Sequence, residues 1–157
     1  METSELMDKL KAPFPEKHLR WRVGACTKDK SKGIALAYID SRDVMKRLDD
    51  VMGPENWQDR YPWSDGSRIV CEIGLRIGGE WLWKANGAGD TQVEAEKGAF
   101  SDALKRAAVM WGVGRYLYML PNVWVPLNDR KQIVQPPELP PWATPDGYRE
   151  LMNRRAA

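Results

Sequence analysis

Residues 57–84 read WQDRYPWSDGSRIVCEIGLRIGGEWLWK, and the period of this stretch decides the fold. Ile69, Cys71, Ile73, Leu75 and Ile77 recur at a strict spacing of two, the alternation of a strand with one buried face. Trp81 and Trp83 continue that spacing after Gly78-Gly79, and in a regular strand the two rings share a face. Asp65-Gly66 and Gly78-Gly79 fall where tight turns are needed, and Gly79 or its neighbour can supply the positive φ of a two-residue hairpin. The stretch therefore predicts three antiparallel strands in a meander. Arg68, Val70, Glu72, Gly74 and Arg76 alternate to the face opposite the apolar set, a mixed surface that is either wet or an interface.

Downstream the period changes to that of a helix. Thr91-Gln92-Val93-Glu94 is a capping box, in which the threonine oxygen and the glutamate each satisfy an orphaned N–H. At 100° per residue, Val93, Ala99, Phe100, Ala103, Leu104, Ala107, Met110 and Trp111 fall within an arc of roughly 140°. That inner face is mostly alanine, which lets a helix approach a sheet closely. Lys97, Ser101 and Lys105 form a stripe outside the arc, Arg106 flanks it on the far side, and Gly112 and Gly114 end the helix. Glu96 falls inside the arc, as a first-turn cap or as the partner of a basic group from a neighbouring subunit. The expected class is α+β: a three-stranded antiparallel meander packed by a long helix, with short flanking helices and strands.

Upstream, Leu6 and Leu10 mark a short helix or arm over 1–16, closed by Pro13 and Pro15. A strand is expected over 34–39. Asp40, with Asp43 three residues on, opens a helix carrying Val44, Leu48 and Val51 that ends at Gly53-Pro54. Beyond the long helix, 116–120, 122–127 and 131–135 read as short extended segments. A tail over 136–157 begins with five prolines in ten residues and finishes in a short helix over 146–154. The intervening 17–135 is expected to form one core.

Composition removes several functions. The 157 residues suit one domain, and the longest apolar run, 107–114, is far short of the ~18 residues that span a bilayer. The N-terminus has no basic start followed by an apolar stretch, so a cytoplasmic chain without a membrane partner is expected. Cys26, Cys71 and His18 are the only cysteines and histidine, too few for a structural zinc site or for a triad that needs an imidazole base. No P-loop occurs, and Gly87-Ala88-Gly89 and Gly112-Val113-Gly114 each give only part of a dinucleotide fingerprint. Net charge is +2, so the distribution of charge has to identify a polyanionic partner. The most basic stretch is 17–32, with Lys17, Arg20, Arg22, Lys28, Lys30 and Lys32 against Asp29, either a solvated loop or a phosphate contact. Eight tryptophans, spread along the chain, are anchors for a core or a subunit interface.

Tyr38-Ile39-Asp40-Ser41-Arg42 leading into a helix, Gly53 followed by Trp57, the meander, and Ala99-Phe-Ser-Asp-Ala-Leu-Lys-Arg-Ala107 running to Trp111-Gly112 occur in one order. Gly114-Arg115-Tyr116-Leu117-Tyr118 follows them. Across roughly residues 20–120 this order resembles the Rad-fifty-two family of single-strand annealing proteins, including its phage and bacterial members. The resemblance implies a β-β-β-α core that assembles into rings or filaments, binds single-stranded DNA along a basic groove, and anneals complementary strands without ATP, a catalytic site, a metal or a cofactor. By position, Lys105 and Arg106 match the helix pair that contacts DNA. Arg42 lies beside a basic position of the family that is Asp43 here, and a further basic position is Val109. Lys97, Lys84 and Arg68 are the substitutes expected for a lysine-rich loop that is shortened here to 87–92, and Arg115 completes the expected DNA-binding set.

Two other readings fit the same residues. Asp65, Glu72 and Glu80, with Lys84 nearby, would be the carboxylates of a small metal-dependent nuclease of mobile DNA. Alternatively, the tail 136–157 would make the chain an adaptor that recruits a host single-strand-binding or replication protein.

Overall fold

The alternation at 69–77 becomes the central strand of a sheet in the computed structural model, which describes residues 2–65, 68–88 and 98–157. The elements run α1 (Thr3–Lys11), β1 (Arg20–Cys26), β2 (Lys32–Tyr38), α2 (Ser41–Met52), β3 (Trp57–Ser64), β4 (Ile69–Ile77), β5 (Glu80–Ala88), α3 (Ala99–Met110), β6 (Trp124–Pro126) and α4 (Pro145–Ala156). The architecture is α+β, with two antiparallel three-stranded sheets. They belong to two units: Met1–Ala12 with Asp40–Arg115, and Pro13–Ile39 with Tyr116–Ala157.

In the first unit the strand order is β3-β4-β5. Ile77 pairs with Glu80 across Gly78 and Gly79, which stand at φ 61° and 81°. Positive φ at both central residues matches the twist of the flanking strands, which is why a Gly-Gly pair closes this hairpin. The register of β3 against β4 shifts between Arg60 and Trp63. Ile69, Cys71, Ile73 and Leu75 are buried, and burial pushes the Cys71 thiol up to about 11, a core thiol without nucleophilic character.

Helix α3 packs on β4 and β5 and buries Ala103, Leu104, Ala107 and Ala108, with Trp111 at its end. Measured from Ala99, the buried residues span roughly 40° to 180° of the helical wheel. The expected arc is thus rotated: Ala108 is buried, whereas Met110 is 41% exposed. Phe100 is 54% exposed, because it sits in the first turn, where it meets Tyr61 edge to face at 5.0 Å. The proposed capping box at Thr91-Glu94, and with it Glu96, Lys97, Gly89 and the turn glycine Gly66, lie outside the described residues.

Helix α2 starts as its sequence requires. The Asp40 side chain accepts from the Arg42 N–H at 2.8 Å, and the Asp40 N–H donates to Asp43 Oδ2 at 3.1 Å, a reciprocal capping box. Its buried residues are Val44, Leu48 and Met52, so Met52 takes the place expected of Val51. Helix α1 buries Leu6 and Leu10, and Arg47 Nη1 donates to the Leu10 and Ala12 carbonyls at 3.1 and 2.6 Å, closing the end of α1 against α2.

The second unit carries the sheet β1-β2-β6. Strand β1 occupies part of the segment read only as a basic loop, and the short segment expected at 116–120 is a 3₁₀ turn over Arg115–Met119 instead. Of the segment expected over 131–135, a single bridge between Leu127 and Ile133 is formed. Thr144 caps α4, its hydroxyl accepting from the Gly147 N–H at 3.1 Å. Among the eight tryptophans only Trp111 is buried; Trp63 and Trp124 are exposed and the rest are half-buried, so most of them are not core anchors of a single chain.

Candidate nucleic-acid interface

The buried arc of α3 is centred near 110° from Ala99, so its outward pole lies near 290°. Lys105 and Arg106 fall at roughly 240° and 340°, one on each flank of that pole, with Asp102 at roughly 300° between them. They diverge, and cannot close together on one small anion. The arrangement suits successive phosphates. Arg106 Nε is paired with Asp102 Oδ2 at 3.1 Å, so one of the two cations is partly neutralised within the helix.

The flank that carries Arg106 borders β5. Asn86 Nδ2 donates to the Arg106 carbonyl at 3.5 Å. Two residues along the strand, Lys84 Nζ stands 4.8 Å from the ring of Trp111, a cation–π contact. Trp111 in turn donates from Nε1 to the Ile73 carbonyl at 3.0 Å, which ties the C-terminus of α3 to the middle of β4. One buried indole therefore fixes both the helix and the lysine beside it.

Arg115 also acts on the helix end. Its Nε and Nη2 donate to the Val109 carbonyl at 3.1 and 2.9 Å, and Nη2 donates to the Met110 carbonyl at 3.0 Å. These are last-turn acceptors, and a cation there complements the helix dipole. Gly112, at φ 94°, donates to Val109, and Val113 donates to Ala108, a Schellman closure. Gly112-Val113-Gly114 is thus a helix stop rather than part of a nucleotide-binding loop.

Two further candidates, Arg42 and Arg68, lie outside α3 and β5. Arg42 lies in the first turn of α2, 83% exposed, with Nε 3.3 Å from Asp40 Oδ1. Arg68 precedes β4, its backbone N–H donating to Asp65 Oδ1 at 2.9 Å. Ile73 pairs with Lys84, which places Arg68 about five residues, or roughly 17 Å, along the sheet from Lys84. Lys97 is outside the described residues. The carboxylates of the nuclease reading do not converge: Asp65 is at one end of β4, Glu80 at the other, and Glu72 lies between them in an ion pair with Arg60. Among the described residues no group of three or more His, Cys, Asp or Glu side chains could hold a metal ion.

The outer face of the same sheet joins aromatic rings to cations, a combination that the spacing of Trp81 and Trp83 alone does not show. Trp81 and Trp83 do share a face, stacked at 6.2 Å and 29°. Arg60 Cζ lies 3.8 Å from the ring centroid of Trp83, and Arg76 Cζ lies 5.8 Å from that of Trp81. Gly74 makes the stack possible, since a Cβ there would come within 2.9 Å of the Trp83 ring. Trp63, 48% exposed, pairs with Val70 on this face. The signal available was the spacing of Trp81 and Trp83 opposite Gly74, which becomes legible only once the register is known.

Comparison with known proteins bears on what this arrangement does. A model of the Rad52/22 family, described as double-strand break repair protein, matches residues 2–63 and 63–135. A protein of Deinococcus deserti named single-stranded DNA-binding protein DdrA is 43% identical over 151 residues, which are 95% of this chain and 75% of the relative. The protein of the same name from Deinococcus radiodurans is 36% identical over 151 residues, 95% of this chain and 72% of the relative.

Proposed function

The chain belongs to the Rad52/22 family of double-strand break repair proteins, and from that premise we propose that it binds single-stranded DNA and anneals complementary strands, without ATP, in recombination and repair. The observation that carries the reading is the pair Lys105 and Arg106 on the outward side of α3, with Lys84 at its border, in a chain 43% identical to a protein named for binding single-stranded DNA. An annealing protein has to hold phosphates while leaving the Watson–Crick edges free, so cationic side chains should dominate its contacts. The β3-β4-β5 meander with α3 is the annealing core of this proposal. Lys105, Arg106 and Lys84 make its main contacts, Arg42, Arg68 and Lys97 extend them, and Arg115 positions the helix. The chemistry requires no catalytic group or cofactor.

With a net charge of only +2 for one chain, a homo-oligomer that aligns successive patches would supply the continuous track that a long strand needs. The Trp63-Trp81-Trp83 face offers the apolar surface for such a contact. Sedimentation of the purified chain should report a multimer that Trp63→Asp dissociates; a monomer in both cases would remove this part of the proposal.

Binding is tested by fluorescence anisotropy of a labelled oligothymidylate titrated with the protein at several salt concentrations. Saturable binding that weakens steeply with salt is expected, and no binding at low salt would refute the proposal. A companion variant sharpens the assignment. Asp102→Asn releases Arg106 and should tighten binding up to several-fold while steepening the salt dependence by a fraction of one phosphate contact, less than about 0.7 in log–log slope. Its stability should change by less than about 1 kcal/mol, because the Asp102–Arg106 pair is exposed.

A further inference from the structure

Two turns far apart in sequence meet at one end of the β1-β2-β6 sheet. The β1–β2 turn carries Lys28 and Lys30, Lys32 opens β2 beside them, and the turn after β6 carries Arg130 and Lys131. Lys32 pairs with Pro126 across β2 and β6, and the Leu127 N–H donates to the Ser31 carbonyl at 2.8 Å, so the turns are neighbours. All five cations are exposed, and none is ion-paired to another described residue.

Both turns are held from within. Asp29 Oδ1 accepts from the Ser31 N–H at 3.0 Å, the Ser31 hydroxyl at 2.8 Å and the Thr27 hydroxyl at 2.7 Å. Those bonds, from Ser31 first and then Thr27, hold the Asp29 carboxyl down at about 2. Asn128 Oδ1 accepts from the Arg130 and Gln132 N–H groups, each at 2.9 Å. Lys30 and Lys131 stand at φ 60° and 63°, the left-handed region where glycine or asparagine would fit at lower cost. A long cationic side chain thus stands at the two positions where local geometry favours it least.

We propose that this paired-turn tip binds the phosphate backbone of a polynucleotide, as a site made wholly from the second unit and distinct from the α3–β5 border. The inference rests on reading the chain as a polynucleotide-binding protein. Residues 27–32 and 128–132 contain no aromatic ring for stacking on bases and no aliphatic side chain for anchoring in a bilayer. Five cations oppose only Asp29 and Asp129, and the engaged oxygen of Asp29 is occupied inside its own turn. Three strands spaced about 4.8 Å apart give the tip a width of roughly 10 Å. That accommodates several charges of a backbone that carries one per ~3.4 Å of each strand.

The test is acylation of lysines in the full chain, read by mass spectrometry with and without saturating oligothymidylate. Lys28, Lys30, Lys32 and Lys131 should acylate several-fold more slowly with the oligonucleotide, both in the wild type and in the Lys105→Ala, Arg106→Ala variant. Inorganic phosphate and phosphatidylglycerol vesicles should give no such protection. A second variant with Lys28→Gln, Lys30→Asn, Lys32→Gln, Arg130→Gln and Lys131→Asn uses asparagine where φ is positive, so that the turns persist. Its salt slope for oligothymidylate should fall by at most about 3.5. Unchanged acylation at the tip while Lys105 is protected would overturn this site alone, whereas protection at neither place would overturn the proposed function as well. Protection by vesicles and not by oligonucleotide would replace the polynucleotide with a lipid surface and overturn the inference.

Discussion

Replacing Lys105 and Arg106 together by alanine is expected to weaken oligothymidylate binding by on the order of 30- to 150-fold, counting two phosphate contacts at about 1–1.5 kcal/mol each. The log–log salt slope should fall by about 1.4, the loss of two phosphate contacts on a single strand. Stability should hardly move, because Arg106 is exposed and Lys105 flanks the outward pole of α3 rather than its alanine face. This combination separates a contact role from a structural one. A variant that binds normally would remove α3 from the interface, and one that unfolds would make the pair part of the scaffold. The fall in slope has to accompany the fall in affinity, since loss of affinity at constant slope would point to a distorted site rather than to missing cations.

Trp111→Ala should have the largest effect on the fold, at about 3–5 kcal/mol, as expected for emptying the volume of a buried indole. For a chain of this length that corresponds to a fall in Tm of roughly 10 °C or more, measurable by calorimetry. The magnitude follows from position: Trp111 stands at the end of α3, donates to the Ile73 carbonyl and lies under Lys84. Trp111→Phe isolates one part of that. The ring remains, the Ile73 carbonyl loses its indole donor, and a cost of about 1–2 kcal/mol is expected. A Trp111→Ala variant as stable as the wild type would show that the helix is held to the sheet without this residue.

The parts of the structure that were legible in the sequence are those fixed by local chemistry. The spacing from Ile69 to Ile77 specified β4, Gly78-Gly79 specified its turn, Asp40 with Asp43 specified the start of α2, and Gly112 specified the end of α3. Strand β1 has only four residues of alternation, Arg20 and Arg22 against Trp21 and Val23, before the register shifts between Val23 and Cys26, so its pattern is too short to stand out from a basic loop. The pairing of Lys32 with Pro126 joins residues almost a hundred positions apart, and no local pattern encodes it. For the same reason the basic segment 17–32 could be recognised, whereas its meeting with Arg130 and Lys131 could not. On α3 the periodicity gave the right face to within about 40°, because alanines tolerate rotation of a helix on a sheet better than bulky side chains do. The placement of Lys105 and Arg106 survives that error, since both lie outside either arc. Arg115 could be seen as a cation in sequence, but its use on the last carbonyls of α3 depends on the chain turning back at Gly112 and Gly114.

Annealing itself is measured by stopped-flow pairing of two complementary labelled oligonucleotides, in low salt and without nucleotide. The purified chain should accelerate pairing well above the spontaneous rate, and raising the salt should abolish the acceleration. Pairing at the spontaneous rate, under conditions where the chain is saturated with single-stranded DNA, would contradict the account.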